Sequence, residues 1–132
     1  MTFLDTSFFA ALAMGRDALH ASAVAWSERL PGLFVTTEYV LVEFVNLLSM
    51  PGRRRPAHSV VANARANPAI QVVPATAQLF DAGLALHGER SDKSWSLTDC
   101  ISFVVMAEHG ITDALTGDHH FEQAGFRALL KE

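Results

Sequence analysis

The sequence predicts an α/β fold, a three-layer α/β/α sandwich around a short, mostly parallel central sheet, and three observations lead there. Apolar runs of strand length, at Thr2 to Asp5, Leu33 to Val35, Ile70 to Val73 and Asp113 to Thr116, are separated by stretches with helical spacing of apolar residues. Strands that alternate with helices cannot be joined by tight hairpins, so they pair in parallel and need cover on both faces. Half of the 132 residues are hydrophobic and 18% are charged, which suits a compact core and not a disordered chain. No repeat, low-complexity tract or linker divides the sequence, so residues 1–132 are read as one domain.

Element by element, Thr2 to Asp5 is a buried strand, and Thr6 and Ser7 can cap a helix through Phe8 to Leu12. A second helix is expected over Asp17 to Arg29, ended by Pro31-Gly32. Leu33 to Val35 forms a brief strand, after which Thr36 or Thr37 caps a helix to about Ser49, with Glu38 suited to its positive N-terminus. Arg53-Arg54-Arg55 reads as a basic turn before a helix from about Ala57 to Ala66. Strand Ile70 to Val73 is followed by helix Thr76 to Glu89, a polar loop at Ser91 to Ser94, and an apolar helix capped by Ser96 and running to about Glu108. Strand Asp113 to Thr116, a helical turn near His120 to Ala124 and a last strand over Phe126 to Leu130 complete the chain.

The formal net charge of −4 makes no case for a generally basic nucleic-acid binder, although a metal or a local basic patch can offset an acidic site. Cys100 is the only cysteine, so no intrachain disulfide can form, and it reads as a small buried apolar residue. No apolar stretch reaches the length of a membrane span and the start lacks a secretory pattern, so a cytoplasmic protein is expected.

Four acids stand where a carboxylate needs explaining. Asp5 ends the first strand, Glu43 interrupts the apolar helix Tyr39 to Val45, Asp99 opens the helix after Ser96, and Asp118 follows the strand ending at Thr116. Ligands of open α/β sheets collect beyond the carboxyl ends of the strands, which is where Asp5 and Asp118 fall. Each acid also has a plain structural reading: Asp5 as a helix opener, Glu43 in an ion pair, Asp99 in a Ser-x-x-Asp capping box, Asp118 as a turn residue. Gathered together, however, they would repel one another, and a divalent cation is the simplest remedy. Oxygen ligands without cysteine or an obligatory histidine suit Mg²⁺ or Mn²⁺, and the reaction such an ion serves best is phosphodiester hydrolysis.

Lesser candidates surround them. Asn46, three residues after Glu43, can hydrogen-bond the carboxylate or a bound water. Arg53, Arg54 and Arg55 can grip a nucleic-acid backbone or form a solvated turn. His119 and His120, being adjacent, are expected to point in different directions and not to share a metal, with His119 placed near phosphate or solvent. A haloacid-dehalogenase-like phosphatase is a poor match, because it needs a second aspartate where Ser7 stands.

Leu4-Asp5-Thr6-Ser7, Val42-Glu43-Phe44, Ser96 to Ser102 and Leu115-Thr116-Gly117-Asp118-His119-His120-Phe121 together resemble a PIN domain, in particular the VapC-type toxins of bacterial and archaeal toxin–antitoxin pairs. The resemblance runs over the whole chain. It implies a Mg²⁺- or Mn²⁺-dependent endoribonuclease in which Asp5, Glu43 and Asp99 match the three central acids and Asp118 the fourth. Thr6 and Thr116 match hydroxyl positions beside the acids. It further implies a homodimer and an antitoxin protein that occludes the acidic groove with a basic side chain. The alternative is a PIN-like interaction module without turnover.

Overall fold

The computed structural model describes residues 1–132. Five parallel strands, β1 (Thr2–Leu4), β2 (Phe34–Thr37), β3 (Ile70–Val73), β4 (Asp113–Leu115) and β5 (Arg127–Ala128), form one sheet in the order β3-β2-β1-β4-β5. Between them lie α1 (Thr6–Ala13), α2 (His20–Arg29), α3 (Glu38–Leu47), α4 (Arg54–Ala66), α5 (Ala77–Glu89), α6 (Leu97–His109) and α7 (His119–Gln123). The chain steps outward from β1 to β2 to β3, then crosses back to place β4 on the other side of β1. Right-handed crossovers therefore put α1 to α4 on one face of the sheet and α5 and α6 on the other. The strand order reverses between β1 and β4, so the crevice of the sheet opens there.

The register locks that crevice. Leu4 pairs with Leu115, and the Asp5 amide continues the ladder by donating to the Leu115 carbonyl at 3.3 Å. Phe3, Leu4, Ala114 and Leu115 are fully buried, so the two strands have packing on both faces. Phe9 of α1 packs on Phe44 of α3 with ring centroids 5.8 Å apart, which fixes the helix carrying Glu43 to the helix that follows Asp5. On the other face, Phe103 of α6 meets Trp95 and Phe121 edge-on at 5.0 and 4.9 Å. Trp95 is thus a packing group; its indole N–H donates to Gln123 Oε1 at 2.9 Å.

Three sequence-based boundaries move. Helix α2 begins at His20, because Asp17 Oδ1 accepts from the Leu19 amide at 2.8 Å and closes a local turn instead of continuing a helix. The basic turn is in fact the start of α4: Arg53 is its N-cap and Arg54 and Arg55 lie in its first turn. Pro56 does not exclude this, since a first-turn residue has no intrahelical partner for its amide. The last strand is only two residues long and passes into a 3-10 turn, Leu129–Lys131, where the Leu130 amide donates to the Thr116 carbonyl at 3.2 Å.

Candidate metal centre

Asp5 leaves the end of β1 and is the N-cap residue of α1, yet it makes no side-chain cap bond to that helix. Its Oδ2 instead accepts from Thr116 Oγ1 at 2.8 Å and from Ser7 Oγ at 3.1 Å. The Ser7 hydroxyl also lies 3.3 Å from Thr116 Oγ1 and accepts from the Gly117 amide at 3.1 Å. These bonds tie the loop after β4 to the loop after β1. Burial pushes the Asp5 carboxyl up from 3.8 to about 6, and the nearby charge of Asp99 adds to the rise, against the lowering effect of the Thr116, Thr6 amide and Ser7 hydrogen bonds.

Asp99 makes the capping box expected of it and keeps a carboxylate oxygen to spare. Ser96 Oγ accepts from the Asp99 amide at 3.0 Å and Asp99 Oδ2 accepts from the Ser96 amide at 3.1 Å, a complete capping box. The same Oδ2 lies 3.0 Å from His120 Nδ1, while no hydrogen bond reaches Oδ1. Burial raises its pKa and the Asp118 charge adds to the rise, opposed by the bonds from Ser96 and His120. Asp118 likewise has a structural part. It caps α7 through its Oδ1, which accepts from the His120 amide at 2.8 Å and lies 3.4 Å from His120 Nδ1. Asp5, Asp99 and Asp118 therefore form one electrostatically coupled row across the crevice between β1 and β4.

The remaining candidates stand at different removes. Glu43 is half-buried on α3 and has no hydrogen bond or ion pair. Asn46 is exposed and lines a groove with Glu38, Val42, Val61 and Arg65, so it does not reach the Glu43 carboxylate by a hydrogen bond. Arg53, Arg54 and Arg55 are exposed, and Arg53 Nη1 approaches Met14 Sδ at 3.0 Å, at the end of α1 opposite Asp5. One helix length, about 12 Å for eight residues, thus separates that cluster from the acids. Sequence reasoning missed two residues. Ser7 had been read only as a cap, although its place two residues after Asp5 is a familiar spacing for a hydroxyl-to-carboxylate bond. His120 meets Asp99 through a contact that no local pattern announces. His119 and His120, expected to point in different directions, open α7 with ring centroids 4.5 Å apart, and both lie beside Asp118.

A hard divalent cation fits this donor set. Asp5 is 5% exposed, lies within the field of the Asp99 carboxylate, and pairs with no lysine or arginine. Thr6 Oγ1, in the residue after Asp5, is buried without a hydrogen-bond partner, as is Ser102 Oγ.

The PIN domain family model matches residues 2–127. The chain belongs to the PIN-domain family. It is 33% identical over all 132 residues, and over the full length of the relative, to the 23S rRNA-specific endonuclease VapC20 of Mycobacterium tuberculosis, strains CDC 1551 and H37Rv. The crystal structure of Mycobacterium tuberculosis VapC20, described as a sarcin–ricin loop cleaving toxin, superposes with a TM-score of 0.88 at 32% identity, covering 96% of each chain. FitAcB from Neisseria gonorrhoeae shares the fold, with a TM-score of 0.66 at 15% identity over 97% of this PIN-domain chain and 95% of the other. No helix of this PIN-domain chain is long and apolar enough to cross a membrane.

Proposed function

We propose that this PIN-domain protein is a divalent-metal-dependent endoribonuclease, the toxin of a toxin–antitoxin pair, acting on the sarcin–ricin loop of 23S ribosomal RNA. The observation that carries the reading is the row Asp5, Asp99, Asp118, three coupled carboxylates without a cationic side chain of their own, at the switch point of a parallel sheet. The substrate follows from the full-length likeness to VapC20.

Asp5 and Asp99 are the ligands of Mg²⁺ or Mn²⁺ in this scheme, completed by Asp118 and Glu43. A bound ion would supply an acidified water and offset charge on the scissile phosphate. The protein's own part is to hold Asp5 through Thr116 and Ser7, to hold Asp99 through Ser96 and His120, and to offer the free Thr6 hydroxyl to a water or phosphate oxygen. In-line attack by water releases a 3′-hydroxyl and a 5′-phosphate and needs no 2′-hydroxyl. Arg53 to Arg55, a helix length from the acids, and His119, beside Asp118, serve RNA phosphates.

A ribosomal substrate agrees with a cytoplasmic location. An antitoxin would cover the acids with an arginine or lysine, since an unneutralised buried carboxylate row is a strong acceptor for one. Exposed Val42 and Leu47 on α3 and Phe80 and Leu84 on α5 are the apolar residues available to a homodimer.

The test is cleavage of a sarcin–ricin loop RNA and an unrelated RNA by purified protein in EDTA, Mg²⁺ or Mn²⁺, with Asp99→Asn alongside. Metal-dependent cleavage lost in the variant is the expected result. Folded, antitoxin-free protein that cuts neither RNA with any ion refutes the nuclease, and cleavage of the unrelated RNA alone refutes the substrate.

A further inference from the structure

Holding Asp99 accounts for one of the two adjacent histidines but not for their pairing beside Asp118. His119 Nδ1 and His120 Nδ1 lie 3.7 and 3.4 Å from the same oxygen, Asp118 Oδ1, and one donor atom from each of the three residues falls within a 4.8 Å group. Zinc takes nitrogen and carboxylate ligands at about 2.0–2.1 Å, which places tetrahedral neighbours roughly 3.3–3.4 Å apart. The two nitrogen-to-oxygen distances need at most a few tenths of an ångström of closure, and the imidazole donors, within 4.8 Å of one another, close the rest by side-chain rotation.

The donors are also held in place. Asp118 is fixed by the His120 amide on Oδ1, at 2.8 Å, and by its own amide donating to Thr116 Oγ1 at 3.0 Å. A polar recess of about 350 Å³, lined by Asp92, Lys93, Ser94, His119, His120 and Gln123 with no apolar residue, opens on both imidazoles and has room for the remaining water ligands.

We infer that Asp118, His119 and His120 form a second cation site that takes a borderline transition ion such as Zn²⁺. It overlaps the carboxylate centre only at Asp118 and differs from it in kind. Two imidazole nitrogens favour ions late in the first transition series, whereas an all-oxygen set suits Mg²⁺. The two sites are antagonistic. His120 Nδ1 is the atom bonded to Asp99 Oδ2 at 3.0 Å, so an ion on that nitrogen replaces the hydrogen bond and removes a restraint on Asp99. Zn²⁺ at the imidazoles thereby withdraws Asp118 from the carboxylate row and loosens Asp99.

The experiment is calorimetric titration of the metal-free full chain with Zn²⁺ and, separately, Mg²⁺, for the parent, His119→Ala and His120→Ala. Visible absorption with Co²⁺ substituted for Zn²⁺ reports the coordination geometry. No readout uses RNA cleavage, so the result is independent of the nuclease assignment. Zn²⁺ should bind more tightly than Mg²⁺, and each alanine variant should weaken Zn²⁺ by at least about tenfold, as loss of a ligand or its support does. Mg²⁺ affinity of His119→Ala should stay within about twofold of the parent, because an all-oxygen site has no use for that imidazole. The His119 side chain is 64% exposed, so its removal leaves the fold intact. Equal Zn²⁺ affinity in the parent and His119→Ala overturns the site, as does Co²⁺ absorption unchanged by either substitution.

Discussion

Thr116 donates to Asp5 across 111 residues of sequence, at 2.8 Å, and so joins the end of one central strand to the end of its neighbour. The bond holds the Asp5 carboxylate against burial that would otherwise protonate it. Thr116→Val keeps the shape and removes the donor. Its expected effects are a loss of about 1–2 kcal/mol of stability and a further rise of the Asp5 pKa. The acid limb of the pH–activity profile should then move to higher pH, while Thr116→Ser should restore it. An acid limb that coincides in Val and parent would show that the bond does not tune Asp5.

Asp5→Asn separates stability from catalysis. An acid whose pKa is raised on folding holds its proton more tightly folded than unfolded. It therefore penalises folding fully above about pH 6, and the penalty fades as pH falls toward 3.8. The shift from 3.8 to about 6 corresponds to about 3 kcal/mol. Metal-free Asp5→Asn should accordingly be more stable than the parent at pH 7.5, by up to that amount, and should lose the advantage near pH 4. RNA cleavage should be abolished. Denaturant unfolding at the two pH values with EDTA present checks the sign, and a variant less stable at pH 7.5 would contradict it.

Glu43 tests the reach of the centre. Its side chain has no polar partner, so Glu43→Gln should change metal-free stability by no more than about 0.5 kcal/mol. If it completes the ion's shell, cleavage should fall by about 10²-fold and the Mg²⁺ concentration needed for half activity should rise. Activity within twofold of the parent at every Mg²⁺ concentration would remove Glu43 from the centre.

Gly83 packs α5 on α6 against Ile101, two residues after Asp99: a Cβ at this position would overlap Ile101 Cγ1 and come within 3.3 Å of the Ile101 Cα. Gly83→Ala should cost about 1–3 kcal/mol in thermal unfolding despite the better helix propensity of alanine. An unchanged or raised melting temperature would mean the helices part without cost.

Much of this was readable in the sequence because the signals are local. The β1, α1 and β4 patterns, the Ser96 cap and the Thr37 cap, whose Oγ1 accepts from the Val40 amide at 3.0 Å, follow from residue type and spacing alone. Cap and ligand do not exclude each other for Asp99 and Asp118, so the sequence could not separate them: a carboxylate has two oxygens, and each acid commits one to its helix. Pro56 hid the start of α4, since a proline is a breaker inside a helix but not at its entry. His120 was hidden for a different reason, as its partner Asp99 lies 21 residues away on another element.

Because β1 lies in the middle of the sheet and its partner β4 is built from residues 113–115, the site cannot assemble in stages. A nascent chain still lacking Thr116 has Asp5 without its hydroxyl anchor, no Asp118, and an open flank on β1 where a strand belongs. If the chain cuts ribosomal RNA as proposed, its carboxylate row can act only after residues 113–118 have been made and β4 has docked on β1.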